Sequence, residues 1–201
     1  MLRPLPSLAG LETRAQATLL SRKPDPVSLY RALFQGVKVS VIAGPGAVDF
    51  QRKFNGLYGV RRNAVWRAHF YELFEAARAS DQPHQALFET VLQELYSRTG
   101  RVEASFASKL VATLRPDAPI IDSIVIAFVA TALPKSSFRR APEKAMAFYL
   151  QLDQLLRDLL ATPQAQAWSA WFDQAFPTPP NGVAVSPTKK LDFLIWSGTA
   201  S

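Results

Sequence analysis

An all-α domain is what this sequence predicts, and three observations carry that expectation. Apolar residues recur at helical spacing through most of the chain, as in Trp66, Phe70, Leu73, Phe74 and Ala77. Prolines, capping residues and glycines fall between those stripes, where helices start and stop. One segment, Val37 to Ile42, alternates like a strand, and no second strand is evident to pair with it. The expectation is a multi-helix globular domain over residues 1–201, with about nine or ten helices and one short strand over 37–42. Two lobes flanking the 100–134 segment are the other arrangement the pattern admits.

Taken in order, Leu11 to Arg22 reads as a helix that Pro24 and Pro26 end. Asp25 caps the next one, with Val27, Tyr30, Leu33 and Phe34 helix-spaced, and Gly44-Pro45-Gly46 closes the 37–42 segment. Asn63 caps the helix carrying Trp66 and Phe70. Leu87 to Tyr96 forms another apolar stripe, with Gly100 just past its end. Val102 to Leu114 is helical again, and Lys109 lies off the middle of its apolar face at 100° per residue. Ile124 to Leu133 carries no charge and reads as a central helix buried all round, ended by Pro134. A basic loop over 135–142, a long helix through Leu159, an aromatic helix around Trp168 and Phe172, and a terminal helix from Lys189 to Trp196 complete the chain.

With 201 residues and a hydrophobic fraction of 48%, the chain can bury about 70% of its unfolded surface without a covalent staple. It has no cysteine, which removes disulfides, thiolate metal sites and cysteine nucleophiles together. His69 and His84 are too few and too far apart for a metal centre or a catalytic triad. Gly44-Pro45-Gly46 lacks the lysine and helix entry of a phosphate-binding loop, so neither metal nor cofactor is expected. Met1 to Gly10 has no long apolar core, and no apolar run reaches membrane-spanning length, so the expected location is the cytoplasm. Lys plus Arg number 23 against 16 for Asp plus Glu, a formal charge of +7 that favours polyanionic partners.

The most pointed chemistry lies in the run SFASKLVATLRPDAPIIDSIV, residues 105–125. It sets Lys109, with small residues Ala107 and Ser108 beside it, across a proline-bounded turn from Asp122, which opens the next helix. Desolvation would lower the lysine pKa and yield the neutral amine that a nucleophile needs. Helix N–H groups and the macrodipole would hold the aspartate ionised, able to stabilise a developing cation. Each residue also has an ordinary role, a solvated lysine and a helix cap, and the pair could be a salt bridge across the turn.

This run resembles the catalytic segment of the helix-hairpin-helix DNA glycosylase superfamily, in the style of its oxoguanine-glycosylase-like branch. Lys189-Lys190-Leu191-Asp192-Phe193-Leu194-Ile195-Trp196 resembles the ending of that branch. The similarity covers residues 100–125 and 187–196; Gly100 is the one glycine just upstream of Lys109, and no glycine-rich hairpin is recognisable there. The resemblance implies that Lys109 attacks the sugar C1′ and forms a Schiff base. It implies that Asp122 assists base departure, and that strand scission by β-elimination can follow. The implied partner is double-stranded DNA with a flipped base.

On that expectation Arg101, Arg115, Lys135, Arg139, Arg140, Lys189 and Lys190 are candidate phosphate contacts, and Arg61, Arg62 and Arg67 form a second basic group. Tyr58 and Trp196 are the candidate base pocket, ahead of Trp66 and Phe138 because each neighbours basic residues. The alternative is a DNA-binding or helical interaction protein that keeps the fold without catalysis.

Overall fold

The computed structural model describes residues 5–133, 138 and 140–199. Ten α-helices and one short 3-10 turn make up the regular structure of these residues, with no strand among them. α1 (Leu11–Ser21) follows Gly10, whose φ of 78° lets the chain turn in without a Cβ penalty. α2 (Pro26–Val39) starts at Asp25, whose carboxylate accepts the N–H groups of Val27 and Ser28, with Pro26 fitted at the first helical position.

α2 takes up the first half of the segment expected as a strand, ending at Val39, and residues 40–42 form no strand. Val27, Tyr30, Leu33 and Val37 form one buried helical stripe. The alternating partners Val39 and Val41 stand 80% and 55% exposed, so the apparent period of two ends no buried face. α3 (Val48–Tyr58) is a helix that the sequence reading did not identify; it buries Phe50 and Phe54 and ends at Gly59 with φ 62°. α4 (Ala64–Arg78) begins where the Asn63 side chain accepts Trp66 N–H, and α5 (His84–Thr99) ends at Gly100, φ 64°.

α6 (Ala104–Leu114) and α7 (Ser123–Phe128) flank the proline-bounded turn. α7 is short, not the long buried helix expected over 124–133. Val125 alone within it is buried, and the chain leaves the helix in turns in which Ala132 and Leu133 N–H both return to Val129 O. A charge-free run had suggested burial on every side, but one face of this segment is open to a cavity. Pro134, expected to end it, lies outside the described residues. α8 (Pro142–Leu160), α9 (Pro163–Ala175) and α10 (Pro187–Thr199) complete the fold.

One continuous apolar core joins these helices, from Leu8 and Leu11 to Leu194 and Ile195. α10 is its organising element: it packs on α1, α7, α8 and α9, while α6 packs on α2 and α5. An aromatic group of Phe50, Phe54, Phe70 and Phe74 fills the space between α3 and α4. Trp168 of α9 donates its indole N–H to Lys190 O at 2.7 Å, which fixes α10 in register. No helix among the described residues is long and apolar enough to cross a membrane.

Gly198 is where α1 and α10 approach most closely, since a Cβ there would stand 2.8 Å from both Cβ and O of Leu11. Backbone cannot yield as a side chain can. Gly198→Ala is therefore expected to destabilise the fold by roughly 1–3 kcal/mol, read as a lowered urea midpoint. An unchanged midpoint would show that the two helices can slide apart at no cost.

Candidate active site

Three ties position the lysine-bearing helix. Glu103, buried just before α6, receives Arg62 Nη2 on both carboxylate oxygens at 2.9 Å. The guanidinium lies 5.4 Å from the Trp66 ring centre and 5.0 Å from that of Phe106, so cation and α6 are held together. Ser108, fully buried, donates to Ser105 O at 3.0 Å and accepts Ile121 N–H at 2.9 Å. That second bond staples the end of the turn to α6, directly beside Lys109 and directly before Asp122. Ser186, which caps α10, donates to Pro116 O at 2.7 Å and ties the same turn to the terminal helix.

Asp122 takes the capping role the sequence predicts, with Oδ1 accepting Val125 N–H at 2.8 Å. Lys109 Nζ donates to Tyr58 O, at the C-terminus of α3, at 3.3 Å and lies 5.8 Å from the Phe106 ring centre. The salt bridge that could have explained the pair is absent: among the described residues no Lys109–Asp122 contact reaches 4.0 Å. Instead the two side chains separate a cavity of about 580 Å³ from one of about 340 Å³, and they are the two residues that line both.

Burial pulls the Lys109 pKa down, with Lys189 adding to the effect and the carboxylates of Asp122 and Asp192 opposing it. Burial likewise pushes the Asp122 pKa up, reinforced by Asp192 and opposed by the Val125 N–H and by Lys109. The sequence had suggested that helix N–H groups would hold Asp122 in its ionised form. Desolvation outweighs them, because α7 contributes little more than one turn and the carboxyl is half-buried.

The smaller cavity brings together Tyr58 and Trp196, the two aromatics expected at a base pocket, with Lys189 and Asp192 on its wall and Arg22 and Arg61 at its lining. Arg22 stacks over Trp196, its guanidinium carbon 4.4 Å from the ring centre. Arg101 and Arg140 line the larger cavity with Ser105 and Ser123, and neither arginine forms an ion pair among the described residues.

Other expected contacts fall elsewhere. Arg115 is turned away, its guanidinium donating to the carbonyls of Ser80 and Gln82 after α4. Lys189 is 6% exposed and bound to Asp192 at 2.5 Å, and Lys190 is buried against Asp173 at 2.6 Å. These three cations already hold carbonyl or carboxylate partners, so they are not free phosphate ligands. Arg62 is committed to Glu103, and Arg67 lines a separate groove with Val48 and Ala64. Lys135 and Arg139 lie outside the described residues.

Arg22 is the site residue the sequence reading missed. It stands at the end of α1, and only the packing of α1 along α10 brings it over Trp196. Asp192 was visible within the terminal motif, but its ion pair with Lys189 and its place on the cavity wall needed the fold. No family model, no curated protein and no solved structure matches this chain.

Proposed function

We propose that this protein is a base-excision enzyme acting on DNA, a DNA glycosylase with AP-lyase activity, in which Lys109 is the nucleophile and Asp122 the electrostatic partner. The observation that carries this reading is the placement of a half-buried lysine without a carboxylate partner at the junction of two cavities, beside a half-buried aspartate. Burial disfavours the ammonium form and so raises the share of the free amine that a nucleophile needs.

In this reaction the Lys109 amine attacks C1′ of the target nucleotide while the bond from C1′ to the base breaks. The base leaves with the bonding electron pair and takes up a proton. The nitrogen then gives a second proton to O4′ as the C1′–O4′ bond breaks, which opens the sugar ring and gives the imine. Asp122, in its carboxylate form, stabilises the oxocarbenium-like charge at C1′ as the bond to the base lengthens. Protonation of the imine and loss of a proton from C2′ then expel the 3′ phosphate, forming the C2′–C3′ double bond and breaking the strand.

A flipped base needs an aromatic wall, and Tyr58 and Trp196 offer one in the smaller cavity. The strand needs phosphate contacts, and the arginines at 22, 61, 101 and 140 line the two cavities without ion-pair partners among the described residues. The double variant Arg101→Ala/Arg140→Ala is expected to weaken DNA binding at every sequence. The salt dependence should flatten by about two phosphate contacts, each worth roughly 0.9 in the log–log slope. An unaltered slope would remove the larger cavity from the DNA path.

The test of the function is borohydride trapping on duplex DNA carrying an abasic site. A covalent complex of protein and DNA is the expected result. Salt-dependent binding without any adduct would assign the protein to DNA binding without catalysis, and absence of binding at low salt would leave a helical interaction protein.

A further inference from the structure

The Lys189–Asp192 pair has no role in the chemistry described so far, yet it is costly to bury. Lys189 is 6% exposed, with Nζ 2.5 Å from Asp192 Oδ2 and 5.2, 5.4 and 4.9 Å from the ring centres of Tyr30, Tyr58 and Phe193. Apolar residues of similar volume commonly stabilise such a position as well as an ion pair does. Burial pulls the Lys189 pKa down, but Asp192 and the tyrosine oxygens outweigh it and hold the ammonium well above the ordinary lysine range. Lys189 is thus the cation of a buried ion pair. It lines the same cavity as Lys109, Asp122 and Asp192, so two lysines and two aspartates surround one space.

We propose that Lys189 is a positioning residue for Lys109, a fixed cation on the wall of the cavity they share that opposes a positive charge on Lys109 by direct repulsion and by neutralising Asp192. The inference rests on the base-excision reading for its purpose, but not for its measurement. The groups facing Lys109 divide clearly by element. From α3 comes the Tyr58 carbonyl, from the start of α7 the Asp122 carboxylate, and from α10 Lys189 and Asp192. On the larger-cavity side Arg62 is neutralised by Glu103, while Arg101 and Arg140 stand on the lining, as Arg22 and Arg61 do on the smaller side. The two carboxylates favour the ammonium form of Lys109, and Lys189 opposes them from within the protein. Removing its charge leaves Asp192 uncompensated, and both changes push Lys109 towards its protonated form.

The experiment is competitive labelling of the free protein with acetic anhydride across pH, reading Lys109 by peptide mass spectrometry. Lys189→Gln keeps a donor for Asp192 and should fold. Its Lys109 titration is expected to rise by about one pH unit, a tenfold loss of reactive amine at neutral pH. Lys189→Arg, which keeps the charge, should return the titration to that of the native protein. Should Lys189→Gln fail to fold, Asp192→Asn, which removes a carboxylate that favours the Lys109 ammonium, is expected to move the titration down. An unmoved Lys109 titration in either folded variant overturns the proposal. No DNA enters this measurement, so a missing adduct on abasic DNA with a shifted titration would refute the base-excision reading and leave the positioning role of Lys189 standing.

Discussion

Lys109→Gln is expected to abolish the covalent complex with abasic DNA and to lower strand scission by on the order of a thousandfold or more, as removal of a nucleophile does. DNA binding should survive, because the arginines lining the cavities remain. Glutamine keeps a donor for Tyr58 O and carries no charge into the half-buried site, so the unfolding midpoint should hold or rise. The pH dependence follows from the same burial. Lys109 titrates below the ordinary lysine value of 10.5, so the native rate should climb with pH through that lowered pKa and level off before 10.5. In the stability balance the sign is fixed too. The unfolded chain holds this proton more tightly, so the cost of the buried ammonium is fully present below the folded pKa. It is relieved as pH rises from the folded value towards the unfolded one. A trapped adduct of native yield in Lys109→Gln would end the assignment.

Asp122→Asn carries the second large effect. Asparagine caps a helix about as well as aspartate, so the Val125 N–H keeps an acceptor and α7 keeps its start. On the proposed base-excision reading, what is lost is the carboxylate charge that stabilises C1′, and base release should slow by about 10²- to 10³-fold while binding is preserved. Because burial and Asp192 raise the Asp122 pKa, the unfolded chain ionises first. The carboxyl therefore costs nothing below its unfolded pKa, stability falls as pH rises from that value to the folded one, and the full cost persists above it. The asparagine variant should accordingly be as stable as the native protein at neutral pH or more so. Asp122→Ala should differ from it by losing the cap, at about 1 kcal/mol. Equal rates for the native and asparagine proteins would leave Asp122 with the capping role alone.

The all-helical class was legible because stripes such as Phe70, Leu73, Phe74 and Ala77 are buried as their spacing requires. The strand over 37–42 was misread because Val37, Val39 and Val41 alternate, whereas the burial of Val37 completes a helical stripe begun at Val27. α3 went unread although Phe50, Phe54 and Tyr58 are four residues apart, since its stripe is only three turns long and has glycines at 56 and 59 near its end. Residues 124–133 show the limit of composition: an uncharged run can line a cavity as readily as fill a core.

Within the site, local order brought out Lys109 and Asp122, since one turn separates their helices and Ser108 closes it. The convergence of Tyr58 and Trp196 needed α3 and α10 to meet, and Arg22 needed α1 to lie along α10. Charge counting failed for Lys189 and Lys190. Both occur in a basic run, but helical phase turns them inward, where Asp192 and Asp173 complete them. The roles proposed for Lys109 and Asp122 rest on the resemblance of their segment to glycosylases, while cavities, burial and the missing salt bridge describe their setting.

The most direct test is to digest the borohydride-reduced complex of native protein and abasic duplex and to locate the modified residue by mass spectrometry. A single sugar-derived addition on Lys109 is expected. Addition at Lys189, at Lys190 or at the chain's amino terminus, or no adduct at all, would contradict it.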